Sequence, residues 1–402
     1  MLKYYKLPLA FLVLAGLLGL FLRWQVILPT PGIRYTWVLH SHSHVMFLGW
    51  VFNVLYLAFI QHHIPENARK GYIRFFVALQ ALVIAMMISF PMQGYGLYSI
   101  IFTTLHTIAI MIFIPVFLRT TKRENSVSLW FARIALIFFF ISTAGPFGLA
   151  YLMANKLGQT VWSQFSIYYY LHFQYNGFFL FGIFSLFFRL LESKKIAFDQ
   201  KSVKTFGTWM AIACIPAYTL SILFADPGLI FNIVGGVAGI IQLIAISILA
   251  LELKRIKKLI KMNFSKMAVF LFCLILGALF LKSLLQLVSA EPEMARLAYS
   301  MRPVVIAYLH LVLVGVITLF LLTWYLETGL VKRSTATRGI VALLIGFIGS
   351  EICLTLIPWW NAIIGSQISS GILIFVFSVL MVTGFLVFYF ACWRKHPMFS
   401  GS

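Results

Sequence analysis

Six histidines stand in strongly apolar surroundings: His40, His42 and His44 close together, then His106, His172 and His310 far apart in the chain. An ionisable side chain among apolar neighbours is costly to keep and marks a functional candidate. Imidazoles on two facing helices can hold a haem iron from both sides. The haem propionates would then want cations, and Arg34 and Arg302 stand just ahead of His42 and His310. Zinc or copper would call for three or four converging ligands, and carboxylates are scarce here. The chemically plainer role for each histidine is a hydrogen bond between helices. A set at one depth favours the cofactor reading, with His42 and His310 as the leading metal ligands and His172 as a third candidate. The other three histidines are expected to be solvated: His62 and His63 beside Gln61 and Glu66, and His396 in a basic tail.

The elements that would position these residues follow from apolar run length. Twelve segments, at 6–28, 38–60, 72–91, 95–118, 130–154, 165–188, 206–224, 229–251, 267–288, 303–326, 339–357 and 368–392, are each long enough to cross a hydrocarbon core of ~30 Å. Backbone groups in lipid must bond internally, so the segments are helices. The expected fold class is all-α: a polytopic membrane protein of twelve transmembrane helices, forming one transmembrane domain over residues 1–402 without a clear internal repeat.

Basic residues test the topology. With the N-terminus in the cytoplasm, 25 of the 31 Lys and Arg residues fall on the inner side, the last of them Arg394 and Lys395. The outer side keeps Arg23, Arg34, Lys156, Arg296 and Arg302, and Lys282 lies inside a span. This asymmetry places both termini inside, as in a bacterial-type inner (cytoplasmic) membrane. The candidate histidines then all lie on even-numbered spans, and His42, His172 and His310 each sit ~8–12 Å below the outer interface.

Composition agrees. Of 402 residues, 62% are hydrophobic and 10% charged, with mean hydropathy +0.97. A soluble domain carries about 25% charged residues, so the solvent here is the lipid bilayer. The net charge of +21 could suggest nucleic acid, but the cations cluster between apolar runs and set topology, so no nucleic-acid partner is expected. Cys214, Cys273, Cys353 and Cys392 lie singly in apolar runs and read as packing residues. The first run lacks a small-residue cleavage site and reads as a span, not a signal peptide.

Local motifs carry a resemblance. The second span reads His42-Ser43-His44-Val45-Met46-Phe47-Leu48-Gly49-Trp50 and resembles helix II of subunit I of haem–copper oxidases and nitric oxide reductases. There a low-spin haem histidine precedes a Met by four or a Gly by seven, which selects His42 over His44. The tenth span, Ala307-Tyr308-Leu309-His310-Leu311-Val312-Leu313-Val314-Gly315, is similar to helix X of that family, with His310 at the low-spin position and Tyr308 at the high-spin one. The sixth, His172-Phe173-Gln174-Tyr175-Asn176-Gly177, is similar to the His-x-x-x-Glu-Gly segment that binds non-haem iron in nitric oxide reductases, with Asn176 in place of Glu.

The resemblance implies a haem–copper oxidase subunit I-like bundle over the whole chain and a low-spin haem b. His42 and His310 would ligate it, with His44, Arg34 and Arg302 around it. It also implies an electron donor such as a c-type cytochrome or a quinol. Departures count against a second haem, copper or non-haem iron: the seventh span has no His-His pair, and Tyr308 replaces a ligand. The leading expectation is a haem b protein for electron transfer or small-ligand handling with a degenerate binuclear centre. The first alternative is a divergent terminal oxidase or nitric oxide reductase, with His172, Asn176 and Tyr308 as candidate catalytic residues. The second is a cofactor-free transporter broken at Pro216 and Gly235-Gly236. Lys282 could snorkel outward, pair with a propionate or line a proton route. Glu351 is expected to be protonated or hydrogen-bonded, with proton relay as the sharper alternative.

Overall fold

Among the described residues eleven helices are long and apolar enough to cross a membrane, and all described regular structure is helical. The structure, a computed structural model, describes residues 1–363 and 367–392; Arg394, Lys395 and His396 lie outside the described residues. In chain order the long helices are α1 (Leu2–Ile27), α2 (Tyr35–His63), α3 (Glu66–Gln93), α4 (Leu97–Thr120), α5 (Val127–Ala154) and α6 (Val161–Ser193). They continue with α7 (Gln200–Cys214), α8 (Leu229–Arg255), α9 (Lys266–Val288), α10 (Arg302–Glu327), α11 (Arg333–Ile363) and α12 (Gln367–Ala391). The chain is a multi-pass membrane protein.

The chain divides into two compact units, Met1–Thr121 with Leu321–Ser402, and Lys122–Phe320. In the first unit α1 packs on α12 and on α2, and α2 packs on α3. Asn53 of α2 and Gln80 of α3 form a reciprocal amide pair at 2.7 and 3.0 Å. Asn53 also donates to the Gly49 carbonyl at 2.7 Å and Gln80 to the Phe76 carbonyl at 2.9 Å. Helices of this kind gain little from burying apolar surface against lipid-like neighbours, so close packing and buried amides hold them. In the same unit α11 and α12 touch backbone to backbone. A Cβ on Gly346 would lie 2.5 Å from the Met381 nitrogen, and one on Gly384 would lie 2.6 Å from the Leu343 nitrogen.

In the second unit α5 packs on α6, α7 on α8, α8 on α9, and α9 on the middle of α10. The seventh segment differs from expectation. Helix α7 has 15 residues, about 22 Å at 1.5 Å per residue, short of a full crossing. Pro216 ends it, since proline offers no N–H and its ring clashes with the preceding turn. The chain continues as two short 3-10 turns, Pro216–Ser221 and Leu223–Ala225, before left-handed residues at Asp226 (φ 49°) and Gly228 (φ 111°) turn it into α8.

Contacts at the two ends of this unit show where that composite segment goes. At one end the Asp199 amide donates to Glu252 at 2.8 Å, Lys194 Nζ to the Asn263 carbonyl at 2.8 Å, and Ser128 Oγ to Glu192 at 2.6 Å. Asp199 also caps α7: it accepts from the Lys201 amide at 3.0 Å and from Ser202 Oγ at 2.7 Å, which holds its exposed carboxyl below the usual range. At the other end Phe224 stacks on Tyr299 at 4.3 Å, Arg296 meets Asp226 at 3.4 Å, and Asn232 donates to the Ala290 carbonyl at 2.8 Å. Residues 200–225 therefore run from the end that holds Glu252 to the end that holds Tyr299.

Candidate functional site

The candidate histidines share a backbone feature. Three helices among the described residues change from α to π hydrogen bonding partway along, at Val45–Phe52 in α2, Phe173–Phe179 in α6 and Leu311–Thr318 in α10. Each π stretch begins on the residue after a histidine: His44, His172 and His310. Each then carries a glycine five residues past that histidine, Gly49, Gly177 and Gly315. π stretches are rare and cluster at functional sites.

The glycines explain the close packing there. A Cβ on Gly49 would meet Phe11 of α1 at 2.8 Å, and one on Gly177 would meet Phe138 of α5 at 2.6 Å. Helix α9 packs on the π stretch of α10 in the same order, so the device recurs every fourth helix. The internal repeat that the sequence alone does not reveal lies in this spacing. It also makes His44, not His42, the residue in register with His172 and His310.

In the first unit, His42 Nδ1 lies 2.8 Å from the Ala15 carbonyl of α1. A carbonyl only accepts, so Nδ1 carries the proton and Nε2 carries the lone pair. Metal-binding histidines are commonly oriented in this way. Gly19, one turn further along α1, makes room for the ring: a Cβ there would stand 2.9 Å from His42 Cε1. His44 donates through Nδ1 to the His40 carbonyl at 2.9 Å and lies against Phe90 with ring centroids 4.3 Å apart. His106 is buried at the edge of Phe52, and its Nε2 has no hydrogen-bond partner among the described residues. Arg34 is exposed, its guanidinium 4.5 Å from the Trp37 ring centroid.

One expectation needs correction in this unit. His63 is buried and meets Phe117 edge-on, because α2 continues past the run that the sequence marks and carries this ring against α4. Glu351 of α11 is an electrostatic neighbour of Arg23 of α1, so a cation from another helix faces it.

In the second unit, His172 is fully buried and bonded through both ring nitrogens. Nε2 donates to the Cys214 carbonyl at 2.8 Å, and Nδ1 accepts from Asn176 Nδ2 at 3.2 Å and Ser221 Oγ at 3.4 Å. The Cys214 carbonyl would bond the Tyr218 amide in a continuous α-helix. Past Pro216, Tyr218 bonds Ile215 instead, and His172 takes the orphaned carbonyl. Tyr308 of α10 neighbours Tyr175 of α6, and its buried hydroxyl has no partner among the described residues. Half-buried His310 ends the α-helical part of α10, and exposed Arg302 begins it as a neighbour of Tyr168. Lys282 of α9 does not snorkel: it is 1% exposed and donates to Gln242 of α8 at 3.3 Å.

No protein-family model matches the chain, and no curated protein matches it. The structure brings His172 and Asn176 together, as their i, i+4 spacing implies. Sequence reasoning takes Cys214 only as a packing residue and passes over Ser221, Gln242 and Ala15. Pro216 was the available signal for Cys214 and Ser221, since a proline-broken helix leaves carbonyls that need donors. Among the described residues no three His, Cys, Asp or Glu side chains gather as a metal site. A haem iron held by two imidazoles needs no such triad.

Proposed function

We propose that this chain is a membrane haem b protein of the haem–copper oxidase subunit I type, working in electron transfer or in handling a small ligand. The observation that carries this reading is the placement of His42, the residue that the motif resemblance names: its Nδ1 meets the Ala15 carbonyl at 2.8 Å and its ring fills the space left by Gly19. His42 is one proposed ligand, through Nε2, because its Nδ1 proton is committed to Ala15. His310 is the second ligand that the resemblance names. Haem b supplies one-electron redox chemistry when bound; the chain's own groups orient the imidazole and exclude water from it. Arg34 and Arg302 remain the proposed propionate partners, and Arg34 would have to leave Trp37 to act so.

Twelve crossings belong to the same proposal. The contacts of residues 200–225 at both ends of their unit support a composite seventh crossing, an α-helix completed by 3-10 turns. Both termini then lie on the cytoplasmic side of a bacterial-type inner membrane, and a c-type cytochrome or quinol would donate electrons.

The alternative of a divergent oxidase or nitric oxide reductase requires His172 as a metal ligand. Its ring nitrogens are both engaged by protein groups, which favours a positioning role at the α7 break. Reduced-minus-oxidised absorption spectra of the purified chain and of His42→Ala and His310→Ala test the proposal. Six-coordinate b-type bands lost in both variants are expected; a colourless wild-type protein would transfer the argument to the transporter reading.

A further inference from the structure

The second unit contains a buried lysine without a counter-charge among the described residues. Lys282 lies six residues, about 9 Å, from the Val288 end of α9. Among the described residues no carboxylate pairs with it; its one hydrogen-bond acceptor is the neutral Gln242, and His172 and Cys214 are its titratable neighbours. An ammonium has three donors, and burying one without compensation in an apolar interior is strongly unfavourable.

The same face of α9 carries two more unsatisfied polar groups. Ser283 is 0% exposed and its Oγ has no partner. Gln286, one turn toward the helix end from Lys282, has a buried Oε1 with no partner. Lys282 and Ser283 thus offer donor capacity that the protein leaves unused, and Gln286 an acceptor that no described group meets, in a stripe reaching the helix end two residues beyond Gln286. Buried polar groups are normally satisfied, so a ligand or ordered water belongs there. Water would satisfy hydrogen bonds but not charge.

We infer that Lys282, with Ser283, forms an intramembrane site for a small monovalent inorganic anion that enters from the Val288 end of α9. The anion neutralises the ammonium and accepts from the Ser283 hydroxyl, and Gln242 holds the lysine in place. The site is independent of the haem proposal, since neither of its two residues is a proposed ligand of that group.

The test uses the full-length chain in detergent, with sodium bromide as the probe and sodium gluconate at matched ionic strength as the control. A ligand that binds the folded state raises the thermal midpoint as its concentration rises. Wild-type protein is expected to be stabilised by bromide and not by gluconate. Lys282→Met, which keeps the apolar stem, should lose the bromide response. Ser283→Ala, a change small enough to preserve folding, should need several-fold more bromide for the same shift. Equal responses in wild type and Lys282→Met, or no difference between bromide and gluconate, would overturn the inference. A midpoint that depends on pH alone, with Lys282→Met removing the dependence, would also overturn it and make Lys282 a proton acceptor without an anion.

Discussion

His172 donates from Nε2 to the carbonyl oxygen of Cys214, 42 residues away in the chain, at 2.8 Å. The contact ties the π stretch of α6 to the point where Pro216 ends α7. A buried carbonyl that loses its donor costs about 1–3 kcal/mol. His172→Ala should therefore lower stability by that order, read as a fall in the thermal midpoint, while haem content is unchanged. His172→Gln should recover part of the loss, because an amide N–H can still reach the carbonyl. Loss of bound iron in His172→Ala would instead make this histidine a metal ligand.

The Asn53–Gln80 pair gives a second test. Each single change to Leu strands the partner's amide and should cost roughly 1–2 kcal/mol. The double change removes both polar groups together and should cost less than the sum. A double-mutant cycle read by thermal unfolding checks this; additive costs would mean that the pair is not coupled.

Glycines divide by what surrounds them. Gly177→Ala would place a Cβ 2.6 Å from Phe138, in the packed face of the π stretch, and should cost on the order of 1–3 kcal/mol. Gly71→Ala in α3 meets nothing within 4 Å and should stabilise by about 0.8–1 kcal/mol through helix propensity. Thermal midpoints moving in opposite directions are the expected result.

The proposed composite seventh crossing is open to chemical labelling. With the exposed Cys273 replaced by Ser, Asp226→Cys and Glu293→Cys should react with a membrane-impermeant maleimide from the outer face. Lys201→Cys and Lys257→Cys should react only in inverted vesicles. Labelling of Asp226→Cys and Lys201→Cys from the same face would remove α7 from the crossings and leave eleven.

Much of the fold was legible because lipid imposes a plain rule: every backbone group bonds within its own segment, so apolar length alone marks helices. The run at 206–224 shows where that rule loses resolution, since hydropathy counts apolar residues without registering the stop at Pro216. The site was legible in part. His42 and His310 stand out by residue type, and Asn176 follows His172 by one turn. The bond from His172 to Cys214 was not legible, because a backbone carbonyl has no signature in sequence. For Lys282 the sequence leaves snorkelling, propionate pairing and a proton route open, and only the structure shows that α8 supplies Gln242 to it. The recurring glycines at 49, 177 and 315 were visible as letters, but their meaning depends on the π stretches that separate them from the histidines.

The most direct measurement is the visible absorption spectrum of the purified chain, reduced against oxidised, with iron quantified per polypeptide. The expected result is a single set of low-spin b-type bands that disappears in His42→Ala and in His310→Ala. Bands that persist at full intensity in either variant, or a wild-type protein with neither iron nor visible absorption, would contradict haem ligation by these two residues.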